Sequence, residues 1–203
     1  MNKPLFITGI GTGIGKTLIS AILVEKLKAD YWKPIQSGDL HDSDTLKVRN
    51  LVSNTQSKFH AESYRLTQPY SPHKSAALDG VIIDPETIIV PSTSNQLLIE
   101  GAGGLMVPLN DNFLMIDLIK KIGAEVVLVS QFYLGSINHT LLSLDALKQR
   151  DIPVKGIIFN GTEDKDSKSF ILNYTGANLL GSVPEMPVIS QESIITAGLQ
   201  LSL

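Results

Sequence analysis

Short unbroken apolar runs alternate along this chain with longer stretches in which apolar residues return every three or four positions. Leu5-Phe6-Ile7-Thr8 reads as a strand, and residues 16–29 as a helix whose apolar face carries Leu18, Ile19, Ile22, Leu23 and Leu27. Tyr31-Trp32 opens a second strand that Pro34 stops, and Asp42 or Ser43 caps a helix running to Val52. Residues 96–100 form a third strand, closed by Gly101-Ala102-Gly103-Gly104. Residues 126–129 form a fourth, with a strong helix at 137–150 behind it. Residues 154–159 and 179–183 complete the strands. Because these runs are continuous instead of alternating, both faces of the sheet must be covered. That predicts an α/β chain with a mostly parallel sheet flanked by helices on both faces. Residues 53–94 are dense in turn formers and are predicted to wrap the rim of the sheet. No repeat, low-complexity tract or linker divides the chain, so a single domain over residues 1–203 is expected.

Composition narrows the function classes. With 203 residues, 43% of them hydrophobic, the chain can bury a sizeable core. A net charge of −3 without any run of Lys or Arg argues against a nucleic-acid partner, which needs clustered cations. The absence of cysteine excludes disulfides, thiolate catalysis and Cys-ligated zinc, and fits a reducing cytoplasm. Met1-Asn2-Lys3-Pro4 leads straight into the first strand, and no apolar stretch approaches the roughly 18 residues of a membrane span. A cytoplasmic protein without membrane attachment is the expectation. His41, His60, His73 and His139 lack metal-ligand spacing, and no Gly-x-Ser-x-Gly elbow is present.

The most informative segment is Gly9-Ile10-Gly11-Thr12-Gly13-Ile14-Gly15-Lys16-Thr17, which follows a strand and opens a helix. Its glycines let backbone amides turn toward phosphate oxygens, and the helix N-terminus adds its positive end. Lys16 is expected to reach the β- and γ-phosphates and the Thr17 hydroxyl to meet Mg²⁺. The loop is one residue longer than the common form. A dinucleotide fingerprint is the rival reading, with Asp30 near the right distance for a ribose contact, but Ile14 stands where the third glycine should be. A purely structural glycine turn is the other rival. Strand, Gly-Lys-Thr and helix together favour nucleotide phosphate, and with it a P-loop nucleoside triphosphate hydrolase fold.

Two further clusters fall at strand ends. Lys33-Pro34-Ile35-Gln36-Ser37-Gly38 carries a lysine that, taken alone, reads as a solvated surface residue. Ser43-Asp44 and Glu100-Gly101-Ala102-Gly103-Gly104 bring carboxylates to the same rim, so that Thr17, Asp44 and Glu100 make a plausible Mg²⁺ set. Asp44 alone reads equally well as a first-turn acid facing the helix dipole.

Together these segments resemble the dethiobiotin synthetase family over nearly the whole chain. Tyr70-Ser71-Pro72-His73, Pro108-Leu109, Leu134-Gly135-Ser136-Ile137-Asn138-His139, Asn160 and Leu180-Gly181-Ser182-Val183-Pro184 extend the match. The long phosphate loop is a family trait, although the family usually has Thr-Asp where this chain has Ile10-Gly11. The resemblance implies a homodimer that uses ATP and Mg²⁺ to carboxylate 7,8-diaminononanoate and close a ureido ring. It implies that Thr12, Lys33 and Ser37 face the diamine and carbamate, with Lys16 and Lys33 supplying positive charge. Nucleotide would lie along Gly13, Ile14, Gly15, Lys16, Thr17 and Leu18, with Asp44, Glu100, Gly101, Ala102 and Gly103 nearby. Asn160, Gly161, Pro184, Glu185 and Met186 would hold adenine, and Gly135, Ser136, Ile137 and Asn138 of the opposite subunit would receive the substrate carboxylate. The competing classes are a partition-type or division-site ATPase and an amide-forming ATPase with another substrate. The partition class usually carries an extra lysine early in the loop, and its membrane-bound members end in a basic helix. This chain has Gly9-Ile10-Gly11 in the loop and no Lys or Arg in residues 193–203.

Overall fold

The computed structural model describes residues 3–203. Met1 and Asn2, the first half of the Met1-Asn2-Lys3-Pro4 segment read as leading into the first strand, lie outside the described residues. In chain order the elements are β1 (Leu5–Gly9), α1 (Lys16–Leu27), β2 (Asp30–Trp32), β3 (Ile35–Ser37), α2 (Asp44–Leu51), β4 (Phe59–His60) and β5 (Tyr64–Leu66). There follow α3 (Pro72–Leu78), β6 (Leu97–Gly104), β7 (Pro108–Asn110), β8 (Phe113–Leu114), α4 (Met115–Ile122) and β9 (Glu125–Gln131). The chain continues through α5 (Ser136–Gln149), β10 (Val154–Asn160), α6 (Lys165–Thr175), β11 (Leu179–Val183) and α7 (Gln191–Gly198).

Seven strands form one sheet in the order β11-β10-β9-β1-β6-β2-β4, and every pairing in it is parallel. Alternate residues of each strand serve opposite faces. Phe6, Ile99, Val126 and Leu128 pack with Ile116 and Ile119 of α4 and Leu147 of α5. Ile7, Leu98, Val127 and Val129 pack with Ile19, Ile22 and Leu23 of α1 and Ile194 of α7. Both faces are thus covered, which is why the strands read as unbroken apolar runs. From β1 the chain crosses to β2 on one side, and from β6 it crosses to β9 on the other. The carboxyl end of β1 therefore sits at the switch point, where open α/β sheets bind ligands.

The structure corrects several boundaries. Helix α1 stops at Leu27 because Lys28 turns left-handed (φ 52°) and bonds back to the Val24 carbonyl. Strand β6 does not end at Glu100. It continues through the glycines, with the register slipping so that Gly9 faces Gly104. Residues 53–94 do more than wrap a rim: β4 extends the main sheet and β5 pairs with β3. Helices α3, α4, α6 and α7 were not anticipated from the sequence pattern.

Candidate active site

Because the strands are parallel, their carboxyl ends gather the polar segments on one edge. There the loop after β1, the Lys33 turn after β2, the start of α2 and the middle of β6 line a cleft of about 710 Å³. Thr12, Gly13, Gly15, Lys16, Thr17, Lys33, Ser37, Asp44, Glu100, Ala102 and Gly103 all contribute to its wall.

The loop is held from beneath. Ile14 is buried in the α1 core, Ile10 N–H donates to the Val129 carbonyl at 3.1 Å, and the Asn160 amide donates to the Ile14 carbonyl at 3.0 Å. Gly15, the residue before α1, has φ +89°, and a Cβ there would come within 2.2 Å of the Asn160 amide nitrogen, so only glycine fits. Lys16 Nζ folds back to the Gly11 carbonyl at 2.8 Å. Burial lowers the Lys16 pKa to about 8, with Glu100 partly opposing that shift.

Lys33 is not a solvated surface lysine. It is 3% exposed, and its Nζ lies 2.7 Å from Asp44 Oδ2 and 3.2 Å from Glu100 Oε1. Burial works against its charge, but the Glu100 and Asp44 carboxylates outweigh it and hold the ammonium above the ordinary lysine value. Burial would likewise raise the Asp44 carboxyl, but Lys33, with Thr17 behind it, keeps it below the usual aspartate value. Asp44 is the first residue of α2, so the dipole reading also describes its position. Ser43 caps that helix, accepting from Leu46 N–H. Thr17 Oγ1 donates to Glu100 Oε1 at 2.9 Å. One hydroxyl and two carboxylates from three elements thus converge beside the loop.

Three residues escaped the sequence reading. Gln36 accepts from Asp44 N–H at 3.2 Å and donates to the Gly38 carbonyl, fixing the Lys33 turn against α2. Pro69 closes the far wall, with Gly38 (φ +72°) so near that a Cβ would meet Pro69 Cα at 2.7 Å. Tyr31, fully buried, donates to Glu100 Oε2 at 2.9 Å. Burial first, and the Glu100 charge after it, push its phenol well above the usual value, so it stays a donor. None of these carried a motif. Each reads in sequence as turn or core.

Other candidate residues lie outside this cleft. Leu18 is half-buried on α1, and Gly101 sits under the wall with its carbonyl 3.4 Å from Lys33 Nζ. Gly161 N–H donates to the Val183 carbonyl, joining the ends of β10 and β11. Pro184 and Met186 line a separate 340 Å³ hollow beside α7, and Glu185 is exposed. Gly135 precedes α5 and Ser136, Ile137 and Asn138 open it, and none of the four lines the cleft within the same chain. Asp30 sits at the opposite edge of the sheet, bonded to Lys58 N–H, Thr93, Asn95 and His60. It cannot meet a ribose held at the loop, which removes the dinucleotide reading.

A family model described as an AAA domain matches residues 3–193. The ATP-dependent dethiobiotin synthetase BioD of Christiangramia forsetii is 51% identical over 191 residues, 94% of this chain and 92% of that protein. The protein of the same name from Cytophaga hutchinsonii is 50% identical over 196 residues, 96% and 94% of the two chains. Among solved structures, a ParA family ATPase from Chlorobium tepidum TLS superposes with a TM-score of 0.58 at 14% identity, covering 98% of this chain and 100% of that one. The septum site-determining protein MinD from Pyrococcus horikoshii OT3 gives 0.58 at 16% identity, covering 97% and 86%. Likeness at that level of identity shows a shared P-loop fold and nothing about activity. Half-identity along nearly the full length of both chains is a different matter, and by it this chain belongs to the ATP-dependent dethiobiotin synthetase family.

Proposed function

We propose that this chain converts 7,8-diaminononanoate, CO₂ and ATP into dethiobiotin, ADP and phosphate, a step of biotin synthesis. Beyond family membership, the supporting observation is the pairing of buried Lys33 with Asp44 and Glu100, the latter also bonded by Thr17, at the mouth of a phosphate loop that carries Lys16. Two anions, a carbamate and the γ-phosphate, must meet in this reaction, so catalysis reduces to positioning and charge.

The backbone of Gly13, Ile14 and Gly15, with Lys16, would cradle the phosphates, and Thr17, Asp44 and Glu100 would hold Mg²⁺. Their donor set fits, because Mg²⁺ takes one or two carboxylates and shares phosphate oxygens. When bound, the ion would neutralise charge on the β- and γ-phosphates. Lys33 stays cationic beside the cleft and would steady the carbamate formed when one substrate amine adds to CO₂. A carbamate oxygen then attacks the γ-phosphorus and ADP leaves. The second amine attacks the carbamoyl carbon, phosphate departs, and the ring closes. Thr12 and Ser37 would orient the diamine. Ser37 Oγ is buried without a hydrogen-bond partner among the described residues, which suits a group that meets substrate. Leu18, Gly101, Ala102 and Gly103 would border the nucleotide, and Asn160, Gly161, Pro184, Glu185 and Met186 its adenine end.

The working unit we propose is a cytoplasmic homodimer of single-domain chains. Residues 135–138 of the partner subunit would receive the substrate carboxylate at the head of α5. Leu134, Leu142 and Met106 are exposed around this region and would be covered in such a dimer. The deciding experiment supplies diaminononanoate, bicarbonate and MgATP and follows phosphate release against cyclic urea by mass spectrometry. One-for-one release that requires both diamine and CO₂ is expected. Phosphate release indifferent to the diamine would overturn the reading.

A further inference from the structure

Tyr31 stands in the middle of the apolar core beneath α1, its ring tilted against Phe59 at a centroid distance of 6.0 Å. Packing alone would be served by phenylalanine. The hydroxyl instead lies 2.9 Å from Glu100 Oε2, and it is the hydrogen-bond donor to that oxygen among the described residues. The other oxygen of the same carboxylate, Oε1, takes both Thr17 Oγ1 and Lys33 Nζ. Glu100 is 1% exposed, so water does not compete for either oxygen. Strands β2 and β6 are hydrogen-bonded neighbours, with Tyr31 opposite Leu98. The phenol therefore reaches two residues along the adjacent strand, on the face that also carries Glu100.

We infer that Tyr31 is a positioning residue for Glu100, fixing Oε2 from the core so that Oε1 is the oxygen presented to Thr17, Lys33 and the magnesium ion that Glu100 would help to hold. A carboxylate held at one oxygen cannot swing about its last torsion, and partners of this kind commonly govern metal affinity about 10–100-fold. The inference rests on the reading of Glu100 as a magnesium-holding residue.

The test compares Tyr31→Phe, Glu100→Gln and the double variant. Each is checked for folding by circular dichroism and then titrated with Mg²⁺ while ATP binding is followed by calorimetry, with steady-state turnover measured alongside. Tyr31→Phe should keep its melting behaviour near the parent's and need about tenfold more Mg²⁺ for half-maximal binding. Its kcat at saturating Mg²⁺ should stay within about twofold. The double variant should match Glu100→Gln, because the phenol acts only through the carboxylate. If Tyr31→Phe is destabilised, its titration is run below its melting transition, where the folded protein still reports whether the Mg²⁺ requirement has shifted. An unchanged Mg²⁺ titration in Tyr31→Phe with a shifted one in Glu100→Gln overturns the role of Tyr31 and leaves the magnesium reading standing. No shift in either removes both. A shift in Tyr31→Phe without one in Glu100→Gln also overturns the inference.

Discussion

Lys33 Nζ and Asp44 Oδ2 lie 2.7 Å apart, the lysine at the end of β2 and the aspartate opening α2. With Glu100 on the other side of the ammonium, Lys33 is the internal cation of a carboxylate pair. Lys33→Ala should therefore destabilise the metal-free protein by about 3–5 kcal/mol, the usual cost of stranding a buried charge. Added Mg²⁺ should recover much of that loss. ATP binding should largely survive while turnover falls at least about tenfold, or roughly 1.4 kcal/mol in the barrier. Thermal melts with and without EDTA, paired with calorimetry and turnover, check it. Melting like the parent's without metal would contradict it.

Lys16 makes nucleotide affinity depend on pH. Its pKa without nucleotide is about 8, and bound phosphate oxygens must raise it. Above pH 8 the free protein has begun to lose this proton, so binding takes one up, and affinity should fall by at most about tenfold per pH unit. Below pH 8 the dependence should flatten. Calorimetry in two buffers of different ionisation enthalpy should register proton uptake above pH 8 and little at pH 7. Affinity that is flat from pH 7 to 10 would remove Lys16 from the phosphate contact.

Gly38→Ala should cost about 2–4 kcal/mol, because it combines a left-handed backbone with a clash against Pro69 Cα at 2.7 Å. Neither partner is the tip of a flexible side chain. Chemical denaturation measures the loss, and the KM for the diamine should rise as the cleft wall shifts. A melting temperature within a degree of the parent's would show that the wall yields freely.

At the other edge of the sheet, Asp30 is 1% exposed and holds Lys58, Thr93 and Asn95. Burial would raise its carboxyl, but the hydrogen bonds from Lys58 N–H, Thr93 and Asn95 outweigh that and lower it below the ordinary aspartate value of 3.8. Its stabilisation is thus present above about pH 3.8 and lost as pH falls through the lower folded value. Asp30→Asn should destabilise the protein at pH 7, flatten this acid limb, and leave turnover per folded enzyme unchanged. Urea unfolding at pH 3, 4 and 7 separates these effects. A parallel acid limb in both proteins would refute the assignment.

Much of this architecture was legible before the structure. Leu5 to Thr8 and Val126 to Val129 announced buried parallel strands through unbroken apolar runs, and Gly15-Lys16-Thr17 between strand and helix announced the phosphate loop. What the pattern hid was interaction between distant residues. Lys33 reads as a surface cation until Asp44 and Glu100 are seen on either side of it. Tyr31 reads as core until its hydroxyl is found on Glu100. The end of β6 was misread because glycines usually close a strand, whereas here Gly104 pairs with Gly9. Helix α6 was missed because its buried side is narrow: Ile171 is its buried residue, and Phe170 and Tyr174 face outward.

The hydrogen bond from Asn160 to the Ile14 carbonyl joins residues 146 positions apart. It ties the ligand-gripping loop, encoded in the first tenth of the chain, to a strand made only after three-quarters of the chain has been synthesised. A growing polypeptide on the ribosome therefore carries a complete phosphate motif long before it owns the brace that shapes it. A fragment ending before β10 would keep the signature and the Val129 contact beneath Ile10 but would lack this brace.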